Sequence, residues 1–476
     1  MIQNRLFSPS RRLWYLRFSK AFIHQAKPEN LFLAIVLSIT CFSSLAYGVN
    51  KPSWDVDVHF SQVIIWSNPS LKVELSAAEA RMVYGWTWES HFSLVENQAN
   101  TNRINAEASS IDGRVIEGSF SELYQNIAYL PGSIVYALGS ALSLPFSVKY
   151  LLSRLAFALV YSFITFFGMK KLRSGKMLYA VIALLPTAIF LASNYNYDYW
   201  VNAFALFATA CLIRELQTPD EVMSLKRMLL LLGAFVIGLS AKAIYFPIVL
   251  LCLLIPKRKF SSKKASRLFR AGTVVTALLI AASFAIPYFF VTGPGIGDIR
   301  GGDEVNSTEQ IAFILSNPGE FTRILMAFLA EYYSFSGSRG YIAFYAYLGY
   351  SSWPLWVVAF GLMLFTALTD KGPADKAVCT WKSRTVGIVL NFITMAMIAA
   401  AFYVAFTAVG SETVAGCQPR YLIPVLFCTL VFLSSPRLAW PRKAGKHKTW
   451  YHAVVLGAMP FIYLIGYWQV YISLLV

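Results

Sequence analysis

The chain has 476 residues, 57% of them hydrophobic and only 14% charged, with a mean hydropathy of +0.54. A soluble domain carries about 25% charged residues, and one soluble core cannot hide this much apolar surface. Disordered, collagenous and coiled-coil chains are excluded too, because they need polar, glycine-periodic or heptad compositions. The apolar runs far exceed the ~10-residue strands of outer-membrane barrels, so the expected fold class is an all-α integral membrane protein. The net charge of +17, from 41 Lys and Arg against 24 Asp and Glu, fits basic inner loops and gives no reason to invoke nucleic acid. Of the six cysteines, Cys41, Cys211, Cys252 and Cys428 fall in apolar runs and Cys379 in a basic loop. Only Cys417 falls in an outer segment, so no outer disulfide is expected, and no CxxC pair suggests zinc.

Residues 1–30 are basic (Arg5, Arg11, Arg12, Arg17, Lys20 and Lys27) and read as a cytoplasmic N-terminus. The first apolar run, 31–49, reads as a retained span, since a signal peptide has a shorter charged end and a small-residue cleavage site. Residues 31–476 then form a single transmembrane domain. Further spans are expected at 148–169, 177–194, 198–213, 228–241, 243–255, 271–291, 353–369, 385–409, 420–435 and 450–474, making about eleven. The pair 228–241 and 243–255 is short, because fourteen α-helical residues reach only ~21 Å of a ~30 Å hydrocarbon core. It reads as a hairpin with its tip at Ala241–Lys242–Ala243, below the outer surface. The inner segments of this topology hold 29 of the 41 Lys and Arg. Counting 127–144 as a span would put Lys170, Lys171, Arg173 and Lys176 outside, so that segment is expected to lie on the outer interface. Two large outer loops follow, 50–147 and 292–352. In the second, Pro318 after Asn317 predicts a helix start, with 318–333 along the interface.

Ionisable groups at membrane depth are costly and therefore candidates for function. By this topology Arg154, Asp198, Lys242 and Arg420 all sit at the outer level of the membrane. The outer loop adds Asp55, Asp57 and His59 soon after the first span. Such a set suits transfer from a lipid-linked anionic donor. Arg binds phosphate through parallel hydrogen bonds, and a carboxylate can take a proton from an acceptor hydroxyl. Each residue also has a plainer role. Asp55 and Asp57 serve as solvated loop acids or a helix N-cap, and Asp198 as a cap for the span it opens. Arg154 can pair with a loop acid, and Lys242 and Arg420 can snorkel. Tyr195, Tyr197, Tyr199 and Trp200 suit an interfacial belt, with Tyr195, Tyr197 and Asp198 also candidates to contact substrate, and Tyr332, Tyr333, Tyr341, Tyr345, Tyr347 and Tyr350 suit a belt or acceptor contacts. Asp57 with His59 leaves a divalent metal open; no cofactor is otherwise implied. His91 lacks a constellation and reads as surface.

The order of these features is familiar. An acidic loop motif, Trp54–Asp55–Val56–Asp57–Val58–His59–Phe60, follows the first span. Leu130–Pro131 opens the interfacial helix, SRL stands at 153–155, and GLSAK at 238–242 lies in the short hairpin. Ser193 to Asp198, Lys242 to Pro247 and the RYLIP run from Arg420 to Pro424 complete the set. The chain resembles the GT-C superfamily of membrane glycosyltransferases, which use polyprenyl-phosphate sugars. It is more closely similar to a bacterial family of predicted membrane proteins related to them, with a P-D-E-x-x-H-F type loop motif. Here Trp54 and Val56 replace the proline and second acid of that motif, and Asp57 is an additional acid. The resemblance implies an inverting transfer on the non-cytoplasmic face of the inner membrane. It implies Asp55, by its position relative to His59, as general base, with Asp57 the alternative. Arg154, Lys242 and Arg420 become candidates for the donor phosphate. The expected partners are a polyprenyl-phosphate-linked sugar, a glycan or lipid acceptor of the envelope, and membrane lipid. A transporter or flippase of lipid-linked saccharide, and a non-catalytic scaffold of envelope assembly, are the competing expectations. Transporters commonly carry paired repeats and mid-membrane charges, and this sequence shows neither.

Overall fold

The computed structural model describes residues 27–85, 94–290, 302, 304–440 and 446–473, and they are mostly helical. Five helices among them are long and apolar enough to cross a membrane: Pro28–Ala46, Phe146–Lys171, Lys263–Ile286, Trp381–Phe406 and Lys448–Ile472. Three shorter apolar helices accompany them, Ser240–Leu254, Trp353–Thr369 and Pro419–Leu433. The count of long spans is thus lower than the eleven expected, for local reasons. The 177–194 run divides into Lys176–Ala183 and Pro186–Ala192, because Pro186 lacks an N–H and begins a new helix. The helix Asp198–Gln217 has 20 residues but carries Asp198, Arg214 and Glu215.

The expected hairpin also differs. Helix Leu225–Gly238 gives way to a 3-10 helix, Ser240–Leu254, with Lys242 at a non-helical break (φ −144, ψ 68). A 3-10 helix rises about 2.0 Å per residue, so the residues 243–254 beyond the break reach roughly 24 Å instead of ~18 Å. The break leaves Lys242 bent away from the helix repeat, where its side chain can meet the start of another helix.

Helix Phe146–Lys171 packs against Pro28–Ala46, Leu130–Ala141 and Asp198–Gln217. Small polar residues let backbones approach in the first of these contacts, where Thr40 Oγ1 and Ser162 Oγ lie 3.1 Å apart. Ser43 Oγ and the Tyr463 hydroxyl, 2.6 Å apart, tie the first helix to the last. Gly132 marks the closest approach of Leu130–Ala141, since a Cβ there would stand 2.5 Å from the Phe157 ring. That helix and its C-cap Leu142 expose Ile134, Leu138 and Leu142 at four-residue spacing, while Ser133 and Tyr136 are buried. Such an apolar outer stripe is what a helix lying on a membrane surface needs.

The first loop holds elements the sequence reading did not foresee. Strands β1 (Lys72–Ser76) and β2 (Ile111–Glu117) pair antiparallel, Lys72 opposite Glu117 and Glu74 opposite Val115. Between them, Ser76 and Glu79 form a reciprocal capping box at the start of Ala77–Tyr84. In the second loop Pro318–Tyr332 begins with Pro318 after Asn317, as the sequence predicts.

The basic segments between helices gather at one end. Arg173 pairs with Glu221 at 2.6 Å, Lys259 with Glu215 at 2.8 Å, and Ser174 Oγ donates to Asp375 at 2.6 Å. The Asp370 carboxylate accepts the Met177 and Leu178 N–H groups, capping helix Lys176–Ala183.

Candidate functional site

Asp198 begins its helix beside two cations from distant parts of the chain. Lys242 Nζ donates to Asp198 Oδ1 at 2.7 Å, and Arg420 Nε lies 3.3 Å from Oδ2. The break at Lys242 turns its side chain toward Asp198. Arg420 comes from the short 3-10 turn Pro419–Leu422, which Pro419 starts. All three side chains are at most about one-eighth exposed, and aromatic faces replace most of their water. Lys242 Nζ stands 3.7 Å over the Tyr421 ring and 5.1 Å over Tyr197, while the Arg420 guanidinium lies 3.8 Å over Trp54. Two cations share one carboxylate, so this trio carries one net positive charge.

The loop acids meet this trio at a cavity of about 1360 Å³. Asp55, Asp57, His59, Tyr197, Asp198 and Arg420 line its polar end. Ala400, Ala401, Phe402, Val404 and Ala405, from the last turns of Trp381–Phe406, form an apolar wall. Asp55 precedes helix Val56–Ser67 in the left-handed conformation, φ +52°, and its carbonyl accepts the His59 N–H at 2.9 Å. Asp tolerates this region better than most residues, and a non-glycine held there is a stiff point in the chain. His59 Nδ1 shares a hydrogen bond of 2.7 Å with the Tyr129 hydroxyl. Burial, aided by Arg420 and Lys242 and opposed by Asp55 and Asp198, pushes its pKa down to about 4. The imidazole is therefore neutral at physiological pH and can only share or relay a proton.

Two expected site residues lie elsewhere. Arg154 is fully buried, and instead of lining the cavity it donates to the Ser44 carbonyl (2.9 Å from Nε) and the Gly48 carbonyl (2.7 Å). The Ser44 carbonyl belongs to the last turn of helix Pro28–Ala46 and the Gly48 carbonyl to the turn just after it, and the negative end of the helix draws a cation there. Tyr195 is also fully buried. Its hydroxyl donates to the Tyr150 carbonyl at 2.6 Å and its ring packs against Phe60 and Phe157, away from the cavity lining. Asp198 does reach the cavity, as the partner of two cations and not as a helix cap. Lys242 backs Asp198 and is not itself part of the lining. Among the described residues no group of three or more His, Cys, Asp or Glu converges to hold a metal ion. His91 lies outside the described residues.

From the sequence Tyr347 is only a belt or acceptor contact, Trp54 and Tyr421 stand within motifs without a role, and Tyr129 is not singled out. Trp54 and Tyr421 adjoin Asp55 and Arg420 in the chain, and that adjacency was an available signal. Nothing local marks Tyr129, whose role comes from packing.

Residues 90–429 match the family described as Predicted membrane protein (DUF2142). The chain belongs to this family. Together with the apolar helices, membership makes it a multi-pass membrane protein. The DUF2142 match takes in Asp198, Lys242, Arg420 and the apolar wall, while Asp55, Asp57 and His59 precede it. No curated protein and no solved structure matches the chain.

Proposed function

We propose that this DUF2142 protein is an inverting glycosyltransferase of GT-C type, moving a sugar from a polyprenyl phosphate to a hydroxyl of an envelope glycan or lipid. The observation that carries this reading is one cavity lined by the Asp55, Asp57 and Asp198 carboxylates, by the Arg420 guanidinium beside Asp198, and by apolar residues of Trp381–Phe406. The lipid chain suits the wall of Trp381–Phe406. The phosphate suits Arg420, with Lys242 supplying charge through Asp198. Asp55, or Asp57, takes the proton of the acceptor hydroxyl as that oxygen bonds to the anomeric carbon. The bond from that carbon to the phosphate oxygen breaks, and its electron pair leaves with the polyprenyl phosphate. The cations stabilise the charge gained by the departing phosphate, where such preorganised groups act most strongly.

The finer topology belongs to the same proposal: about eleven crossings of the bacterial inner membrane, a cytoplasmic N-terminus, and the cavity on the non-cytoplasmic side. The gathering of basic segments away from the cavity lining supports it.

The test uses the full chain in nanodiscs with short-chain polyprenyl-phosphoryl hexoses and a panel of glycan acceptors. The expected result is release of polyprenyl phosphate with formation of a glycoside. General-base catalysis contributes about 10²–10⁴-fold, and the base variant should lose that much. Asn tolerates the left-handed backbone as Asp does, so Asp55→Asn tests the charge and leaves the fold alone. Full turnover in both Asp55→Asn and Asp57→Asn removes the proposed base. Translocation of the intact lipid-linked sugar, without cleavage, favours a transporter.

A further inference from the structure

A second loop closes on Asp55. In the segment 344–350 the Tyr345 N–H donates to the Gly349 carbonyl at 2.9 Å, and the Gly349 N–H to the Ala346 carbonyl at 3.0 Å. Tyr345, Ala346 and Leu348 are buried, and the rings of Phe344 and Tyr350 stack at 4.1 Å with 8° between their planes. The Phe344 N–H is anchored on Thr187 Oγ1 at 2.8 Å. Ala346 has a φ of +52°, a conformation that side-chain-bearing residues hold only where their surroundings impose it. The result is a rigid tip that presents Tyr347 to the cavity lined by Asp55 and Asp57.

The same loop touches the cationic wall. Trp54, which carries Arg420 on its face, packs edge-on against Phe344 with ring centres 4.9 Å apart. Asp55, with left-handed backbone, lines the cavity, and Ala346, also left-handed, precedes the lining residue Tyr347. Burial raises the Tyr347 pKa and the Asp55 and Asp57 carboxylates add to it, while Arg420 and a hydrogen bond with the Asp55 backbone oppose them. The phenol is therefore neutral at physiological pH, and its oxygen lies at the Asp55 main chain.

We propose that Tyr347 is a positioning residue for the acceptor-side carboxylate, its phenol oxygen accepting the Asp55 N–H and thereby holding the left-handed backbone that keeps Asp55 on the cavity. The inference rests on the transfer reading for its catalytic consequence, but not for the bond itself. The bond has a simple chemical logic. Asp55 stands just before helix Val56–Ser67, at a helix start where main-chain N–H groups take acceptors from outside the helix repeat. A phenol from another loop satisfies that donor and fixes the residue at once.

The experiment compares wild type, Tyr347→Phe and Asp55→Asn in nanodiscs. Hydrogen exchange of the peptide spanning 53–60 reads the bond without any substrate. Tyr347→Phe keeps the ring and its packing, and amide exchange at Asp55 is expected to accelerate about tenfold or more while the peptides of Tyr345 and Leu348 stay protected. In the transfer assay kcat is expected to fall about tenfold while KM for the polyprenyl-phosphoryl hexose stays unchanged, because Arg420 and Lys242 are untouched. A role in loop stability alone would instead loosen the whole tip and leave the ratio of kcat to KM effects unpatterned. Unchanged exchange at Asp55 overturns the proposal. So does wild-type kcat in Tyr347→Phe when Asp55→Asn is inactive, and that outcome leaves the transfer reading standing. Altered exchange together with full turnover in Asp55→Asn and Asp57→Asn instead removes the transfer reading and leaves Tyr347 as the holder of a non-catalytic Asp55.

Discussion

Replacing Asp198 by Asn should damage this protein more than any other single loss of charge at the cavity. The carboxylate sits 2.7 Å from Lys242 Nζ and 3.3 Å from Arg420 Nε, with each partner mostly sealed from water. Coulomb's law at an effective dielectric of about 20 gives gross attractions of roughly 6 and 5 kcal/mol for these separations. Most of that is offset by desolvation, but removing one partner of a buried pair still costs about 3–5 kcal/mol, because the other charge is left unpaired. Here two cations are left, facing each other across the space the carboxylate neutralised. A destabilisation of at least about 3 kcal/mol is expected, measured by reversible unfolding in bicelles. The double variant Asp198→Asn with Lys242→Met should recover part of it, with a coupling of about 1–3 kcal/mol in the cycle. Asp198→Asn should also raise the affinity for inorganic phosphate, since the trio's charge rises from one to two. A change within about 0.5 kcal/mol, typical of an exposed surface position, would refute the account of a shared buried carboxylate.

Other outcomes follow from the same geometry. The His59 imidazole titrates near 6.5 when unfolded and near 4 in the fold, so between those values the unfolded state binds more protons. Its contribution is complete above pH 6.5 and is lost as pH falls toward 4, on the order of 3 kcal/mol in total. Unfolding measured across this window should show that slope, and His59→Phe should flatten it; an equal slope in both proteins contradicts the burial argument. Arg154→Met should cost about 2–4 kcal/mol through the orphaned Ser44 and Gly48 carbonyls. Its KM for a polyprenyl-phosphoryl hexose should not move, and a large rise in KM would return Arg154 to the donor site. Gly132→Ala should destabilise by about 1–3 kcal/mol, because its Cβ would meet the Phe157 ring at 2.5 Å. A thermal scan that leaves Gly132→Ala at the wild-type melting temperature would mean that the two helices can part without cost.

What the amino-acid order alone determined was a matter of composition and period. Long apolar runs can be satisfied only by helices in lipid, and the runs that became Pro28–Ala46, Phe146–Lys171 and Trp381–Phe406 were legible because each position contributes independently to hydropathy. The rarity of charge in those runs also singled out Asp198, Lys242 and Arg420, since a buried ion needs a partner wherever it occurs. Which ion pairs with which was not legible. Arg154 looked like its fellow cations in sequence, but a helix end of the first span stands beside it and its charge goes to main-chain carbonyls. Asp198 looked like a cap until the break at Lys242 and the turn at Pro419 brought two cations to it. The small sheet of β1 and β2 escaped notice because its pairing joins residues some forty positions apart and leaves β2 largely exposed. Tyr347 could be read from the sequence only as a belt or acceptor contact, because its place beside Asp55 depends on a strained turn anchored to yet another helix. Hydropathy and the cost of burying charge act residue by residue, so a sequence displays them; partnership depends on long-range closure of the chain, and only the tertiary structure decides it.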